Sequence, residues 1–529
     1  MNLSVTPGGD AVRPRLNRNA LRWCCAAATA FCIAGCAVGP NYKKVAVDIP
    51  ESFKEGVDWQ RANANLQASL SSTWWLEYSD TTLTHLVEQA QKANPAIAQA
   101  EASWRLAQAG VAANVASLFP FIGAGMSGAR SGAGAAGASG ASGGSLQPGV
   151  HNFVSADLSA SWELDLWGGI RRQVESSKAS AQASDAQLAG VRLSIAASVA
   201  TDYFELRRSD VDIGLLEQEH QIDARILDMT HASYAQGEAS NDSVLAAQDN
   251  LEAVIADLQA TKTSREQYEH ALAVLTGVPP ASFSIAPVSN YAFITPTVPL
   301  ALPSQLLERR YDVVSAERNA AAANAKIGAA EAAFFPTLTL SAQGGFQHNA
   351  LANLFSVPNR FWTLGPDLAA TIFDGGARTA AVREARATYD ESVAAYRQTV
   401  LSAFQNVEDS LSSWNHLAQQ SQAFVEIYRR NKRLFDSQHA QYEFGTASEQ
   451  NLLTRQLTLL LAQQNLSDTQ AALTLASVTL IRNLGGGWQW NDANEAAASV
   501  ASSSGNGRSS ESPDRSLLLF PHSCKLSST

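Results

Sequence analysis

Apolar positions along this chain repeat with two periods, and the period switches in the same order twice. From Asp157 to Leu166 the alternation is unbroken, with Leu158, Ala160, Trp162, Leu164 and Leu166 opposite Asp157, Ser159, Ser161, Glu163 and Asp165. Leu338, Leu340 and Ala342 alternate in the same way with Thr337, Thr339, Ser341 and Gln343. Trp362, Leu364, Pro366, Leu368, Ala370 and Ile372 form a further set, and Ile122, Ala124 and Met126 a weaker one. A period of two predicts strands over about 120–128, 154–166, 336–346 and 361–373, each apolar on one face and polar on the other. Elsewhere the spacing is helical. No proline lies between Pro148 and Pro279 or between Pro366 and Pro513. Very long helices are therefore permitted. The pattern predicts them over Arg171–Tyr234 and Ala377–Glu443, with partners over Asp242–Leu275 and Glu449–Asn483 after breaks at Gly237 and Gly445.

The two halves superimpose. Asn94–Pro120 aligns without gaps on Arg310–Pro336, so that Glu101 falls on Glu317 and Phe119-Pro120 on Phe335-Pro336. Leu166-Trp167-Gly168-Gly169 matches Phe373-Asp374-Gly375-Gly376, and each leads to an arginine, Arg171 or Arg378. Tyr234 and Gly237 match Tyr442 and Gly445, and Leu275 matches Leu484. The offsets run 216, 207, 208 and 209 residues, which describes one large unit duplicated. The repeats are expected over 80–277 and 305–488. A linker over 278–304 carries six prolines and suits an extended path.

The predicted helices are about 96–100 Å long, too long for a compact single domain. Four amphipathic strands cannot close a barrel by themselves, because open edges are not tolerated in lipid and the smallest single-chain barrels have eight strands. If the strands face lipid, the chain must borrow strands from copies of itself, and three copies give twelve. A half-buried soluble sheet would show the same alternation, so this step rests on more than periodicity.

Composition narrows the setting. The chain has 529 residues and a formal charge of −11. Arg13, Arg15, Arg18 and Arg22 precede an apolar run from Trp23 to Gly35, the layout of a secretory signal over residues 1–35. Its removal leaves 34 basic and 48 acidic residues, a net −14, which argues against a nucleic-acid partner. Ile33-Ala34-Gly35-Cys36 resembles a bacterial lipobox, with cleavage between Gly35 and Cys36 and acylation of Cys36. The resemblance implies a diacylglycerol modification there and no other cofactor. Ala37 in the next position implies the outer membrane as destination. Residues 489–529, rich in Ser and Ala, are expected to be disordered.

Enzyme-like strings dissolve in context. Gly123-Ala-Gly125-Met-Ser-Gly128 fits a dinucleotide pattern but follows a helix, with no acid about twenty residues later. Gly140-Ala-Ser142-Gly-Gly144 fits a nucleophile elbow inside a Gly/Ala/Ser tract from Ser127 to Gly149, which reads better as the first hairpin loop. The nine histidines show no metal-ligand spacing and no Walker sequence occurs. No catalytic or metal-binding residue is predicted.

Trp74-Trp75, Asp80, Leu83 and Leu86, then Asn94-Pro95, the two hairpins and the Tyr-x-x-Gly turns resemble the TolC-like outer-membrane factor family. The lipobox places the resemblance in its lipoprotein (NodT-like) branch, which serves resistance-nodulation-division efflux pumps. The family implies a mainly α fold with membrane β: a homotrimer whose twelve-stranded β-barrel continues into an α-helical barrel girdled by an equatorial mixed α/β belt, along which the lipid-anchored N-terminal segment, residues 36–79, is expected to run. It implies a passive exit duct in the Gram-negative outer membrane, exporting small molecules delivered by a periplasmic adaptor and a proton-driven inner-membrane transporter. A protein-secretion duct and a poreless envelope lipoprotein remain alternatives. The periplasmic mouth is expected at the turns by Gly237 and Gly445. Tyr234 and Tyr442 are aperture candidates, as are Ser243 and Asn451, which stand where the family commonly has aspartates. Asp242 and Glu449 could restore negative charge there.

Overall fold

The computed structural model describes residues 37–48, 53–55, 72–133, 149–296 and 310–487. The expectation of a disordered tail over 489–529, like Gly35 and Cys36, lies outside the described residues. After a short 3-10 turn (Trp74–Tyr78) come α1 (Thr81–Ala93), α2 (Pro95–Ala116), β1 (Phe121–Ala133), β2 (Gly149–Leu164), α3 (Gly169–Ala235) and α4 (Asn241–Leu275). The second half repeats the order as α5 (Tyr311–Ala332), β3 (Thr337–His348), β4 (Arg360–Ala369), α6 (Ala377–Glu443) and α7 (Glu449–Asn483). Equivalent helices have equal lengths of 22, 67 and 35 residues in the two halves. At 1.5 Å per residue, α3 and α6 are each about 100 Å long. Among the described residues no helix is long and apolar enough to cross a membrane.

The four strands form one antiparallel sheet in the order β1-β2-β3-β4. Strand ends differ from the sequence expectation. The Gly/Ala/Ser tract does not loop out at Ser127: β1 stays in register with β2 as far as Ala133, opposite Gly149. Small side chains cost propensity but leave the backbone free to complete the ladder. At the other end β2 stops at Leu164 and β4 at Ala369, short of Leu166 and Ile372. Asp165 is therefore not a wall residue. Its carboxylate accepts hydrogen bonds from the N–H groups of Ile170 (3.1 Å) and Arg171 (2.9 Å) at the start of α3, and from Arg171 Nε at 3.1 Å. Asp374 does the same for α6, accepting from Gly376 N, Arg378 N and Arg378 Nε. Unpaired N–H groups and the positive end of each long helix favour a carboxylate there.

The largest core lies away from the sheet. Trp74, Tyr78, Leu83, Leu86 and Val87 pack against Tyr203, Phe204 and Leu206 of α3, Val400 and Val407 of α6, and Val478 and Ile481 of α7. Asp80 caps α1, accepting from Thr82 N at 2.8 Å and Leu83 N at 3.0 Å. Its second oxygen accepts from the hydroxyls of Tyr203 (2.7 Å) and Tyr291 (2.8 Å). A buried ionic network continues from there. Arg207 donates to Tyr203 Oη, Asp210 and Ala286 O, while Arg265 donates to the other Asp210 oxygen, Glu269 and Ile285 O. Val288 N also donates to Asp210, so the described part of the proline-rich segment is bonded to α3 and α4 through backbone groups that make no helix or sheet bonds.

Candidate functional site: the two-faced sheet and the helical mouth

Directly paired residues share a face of a sheet, so the register sorts the strands into rows. One face carries Leu164–Leu338–Leu368, Trp162–Leu340–Pro366, Ile122–Ala160–Ala342–Leu364 and Ala124–Leu158–Gly344–Trp362. The other carries Glu163–Thr339–Asp367, Ser161–Ser341–Gly365, Gly123–Ser159–Gln343–Thr363 and Gly125–Asp157–Gly345, interrupted by Phe121, Phe153 and Phe361. Apolar residues on the first face are open in the single chain: Trp362 is 78% exposed, Leu364 72% and Ile122 71%. On the second face Gln343 donates to Asp157 at 3.0 Å, and the hydroxyls of Ser127 and Ser155 bond at 2.8 Å. Farther from the helices the apolar face gives way to Arg130, Asn152, His348 and Arg360. From Leu164 to the row of Met126, Ala156 and Phe346 the strand runs roughly 27 Å at 3.4 Å per residue, close to the ~25 Å apolar band of membrane barrels before tilt is counted. At the base, Trp167 stacks on Phe335 with ring centroids 4.6 Å apart and donates Nε1–H to Pro336 O, and Trp162 donates to Leu118 O. Amphipathic aromatics of this kind suit a membrane–water boundary.

The opposite ends of the long helices form matching turns. Gly237 (φ +78°) and Gly445 (φ +72°) take the left-handed conformation that ends α3 and α6. Glu238 N bonds back to Ser233 O and Thr446 N to Gln441 O, the same closure in each half. Ser240 and Ser448 then cap α4 and α7, their hydroxyls accepting from Ser243 N and Asn451 N, each at 3.2 Å. These two predicted positions therefore sit in the first turn of their helices, beside Asp242 in α4 and Glu449 in α7. Tyr234 and Tyr442 close the preceding helices at 47% and 40% exposure, and neither hydroxyl has a hydrogen-bond partner among the described residues.

Glu449 is not a free negative charge. Arg225, three turns before the end of α3, grips it with two hydrogen bonds: Nε to Oε1 at 2.8 Å and Nη2 to Oε2 at 3.0 Å. That grip, through hydrogen bonding first and charge second, holds the Glu449 carboxyl below its ordinary pKa and the Arg225 guanidinium above its own. Sequence reasoning missed Arg225, because nothing local marks a partner 224 residues away. It also missed a carboxylate seam higher on α3. Asp212 is 8% exposed, and its Oδ1 has no hydrogen-bond partner. Burial first, then the Asp468 charge, pushes its carboxyl up to about 7 despite Arg208 nearby. Asp202, nearly three turns earlier on α3, is pushed up to about 6 by burial and by Glu205. Among the described residues no group of three or more His, Cys, Asp or Glu could hold a metal ion.

Sequence and fold comparisons point the same way as this geometry. The chain is 28% identical over 475 residues to the probable efflux pump outer membrane protein TtgC of Pseudomonas putida, covering 89% of this chain and 97% of that one. It is 32% identical over 423 residues to the pyoverdine export outer membrane protein OpmQ of Pseudomonas aeruginosa, covering 79% and 87%. Among solved structures the outer-membrane channel OprN superimposes with a TM-score of 0.76 at 27% identity, over 86% of this chain and all of that one. These relatives are channels and efflux components rather than enzymes. The model of the outer membrane efflux protein family matches residues 86–278 and 302–486, most of both halves, and the chain belongs to that family.

Proposed function

We propose that three copies of this chain close a twelve-stranded barrel and stand as a lipid-anchored exit duct, the outer-membrane end of a tripartite efflux pump. The sheet carries the proposal: four strands with one apolar and one polar face, joined directly to helices of about 100 Å. The sheet has two outer edges, β1 and β4, within one chain. Unpaired backbone groups cost several kcal/mol each in hydrocarbon, and cyclic repetition removes every edge. Eight strands would close around an interior filled by side chains, whereas twelve leave room for solute past Asp157, Ser159 and Gln343. The tunnel would hand on small molecules brought by a periplasmic adaptor and a proton-driven inner-membrane transporter. Cys36 would carry the diacylglycerol anchor, and the barrel would hold the trimer in the bilayer beside it. Purified protein in a planar bilayer should show a small conductance, mostly closed. A particle without conductance under any condition would favour a poreless envelope lipoprotein instead.

A further inference from the structure

Residues 37–42 lie against both α3 and α5, one helix from each half. Val38 N donates to Trp167 O at 3.0 Å, so the segment begins at the junction where β2 gives way to α3. Arg172, only 4% exposed in the first turn of α3, donates from Nε to Val38 O at 3.2 Å. Its Nη2 donates to Gly39 O at 3.2 Å and Asn41 Oδ1 at 2.7 Å, and its Nη1 to Glu175 at 2.7 Å. From α5, Asn324 Nδ2 donates to Pro40 O at 3.0 Å. Gly39 has φ +95°, and a Cβ there would stand 2.3 Å from the Gly328 α-carbon. Tyr42 packs farther down, on Ala179, Ala321 and Ala322.

These contacts serve neither the two-faced sheet nor the mouth. A simple tether would not need a buried guanidinium committed to two backbone carbonyls, because burying such a charge is costly unless its donors are used. They do determine where Ala37 sits: against Gly168, where an added Cβ would come within 2.7 Å of the Ala37 Cβ. Cys36 is one peptide unit earlier, and consecutive α-carbons are about 3.8 Å apart. We infer that Arg172, with Gly39 and Gly328, is a positioning seat that delivers the acyl chains of Cys36 to the base of the chain's own β2–β3 pair. The inference rests on the reading of Cys36 as the anchored residue.

The test uses the full-length protein from cells fed a diazirine-bearing fatty acid, irradiated in the membrane and mapped by peptide. Most protein adducts should fall on the stretches 158–168 and 335–342 of the chain that carries the label. Gly39→Ala changes the strap alone, and it should leave labelling and assembly intact while cutting the share of adducts on those stretches several-fold. Arg172→Ala should do the same. Adducts scattered over barrel and lipid in the unaltered protein, or a map unmoved by both variants, would overturn the seat and leave the anchor standing. Absence of incorporated label, with Cys36→Ser indistinguishable from the unaltered protein, would overturn both.

Discussion

Single residues at the mouth divide into those already bonded within the chain and those left open. Ser243 and Asn451 have backbone N–H groups satisfied by capping hydroxyls, and Glu449 is gripped by Arg225. Tyr442 is open, so it can reach another helix or another copy. Replacing it with alanine should raise single-channel conductance, and an unchanged trace would remove it from the aperture without touching the duct. Asp212 allows a sharper test. Its folded pKa of about 7 lies above the ordinary 3.8, so the folded state binds the proton more tightly than the unfolded one. Its contribution is full below about pH 3.8 and is lost as pH rises through about 7. Asp212→Asn should therefore stabilise the protein at pH 8 and make little difference at pH 4, read by thermal unfolding at both. Equal effects at the two pH values would show that Asp212 is already ionised in the fold.

Helices and strands here are delimited by small devices at their ends. Ser448 caps a helix of 35 residues that begins at the exposed mouth, and Ser448→Ala should cost about 1 kcal/mol, concentrated in local opening of α7. Hydrogen exchange at residues 449–453 is the readout, and unchanged protection there would mean that neighbouring copies, not the cap, hold the turn. The middle of α3 is different. Asp210 is 2% exposed and bridges Arg207 on its own helix to Arg265 on α4. Asp210→Ala would leave two guanidinium groups short of a buried partner, and breaking such a pair typically costs about 3–5 kcal/mol. The loss should also free the segment around Ile285 and Val288, whose backbone groups bond into the same network.

At the scale of the molecule the single chain is unfinished. Its largest core is closed around α1, α3, α6 and α7, yet Trp362, Leu364, Leu368 and Ile122 are exposed on one sheet face. Apolar exposure of that extent needs a covering phase. In the proposed duct lipid would cover the face and further copies the edges. Mass measurement of the detergent-extracted particle should therefore return three chains. Two chains would imply an eight-stranded barrel packed with side chains and would refute a duct, and a single chain that still spans the bilayer would break the edge argument at its root.

Much of this was legible in the linear chain because it follows from local physics. Periods of 2 and 3.6, the placement of Pro and Gly, and the offset between halves are properties of neighbouring residues. They marked Ala377–Glu443 and Glu449–Asn483 to the residue. The same locality explains the misses. Alternation says which face Asp165 would take if the strand continued, but not that the start of α3 claims its carboxylate first. Nor does it say that the small residues after Ser127 stay paired, which depends on β2 being alongside. Arg225 meeting Glu449, Tyr203 and Tyr291 sharing Asp80, and Arg172 holding the strap are contacts between residues 123 to 224 positions apart, apart from the shorter ties within the last two groups. The sequence determined the elements and their order; which charges met, and which were left alone in the interior, depended on the register of one long helix against another, and that only the tertiary structure decided.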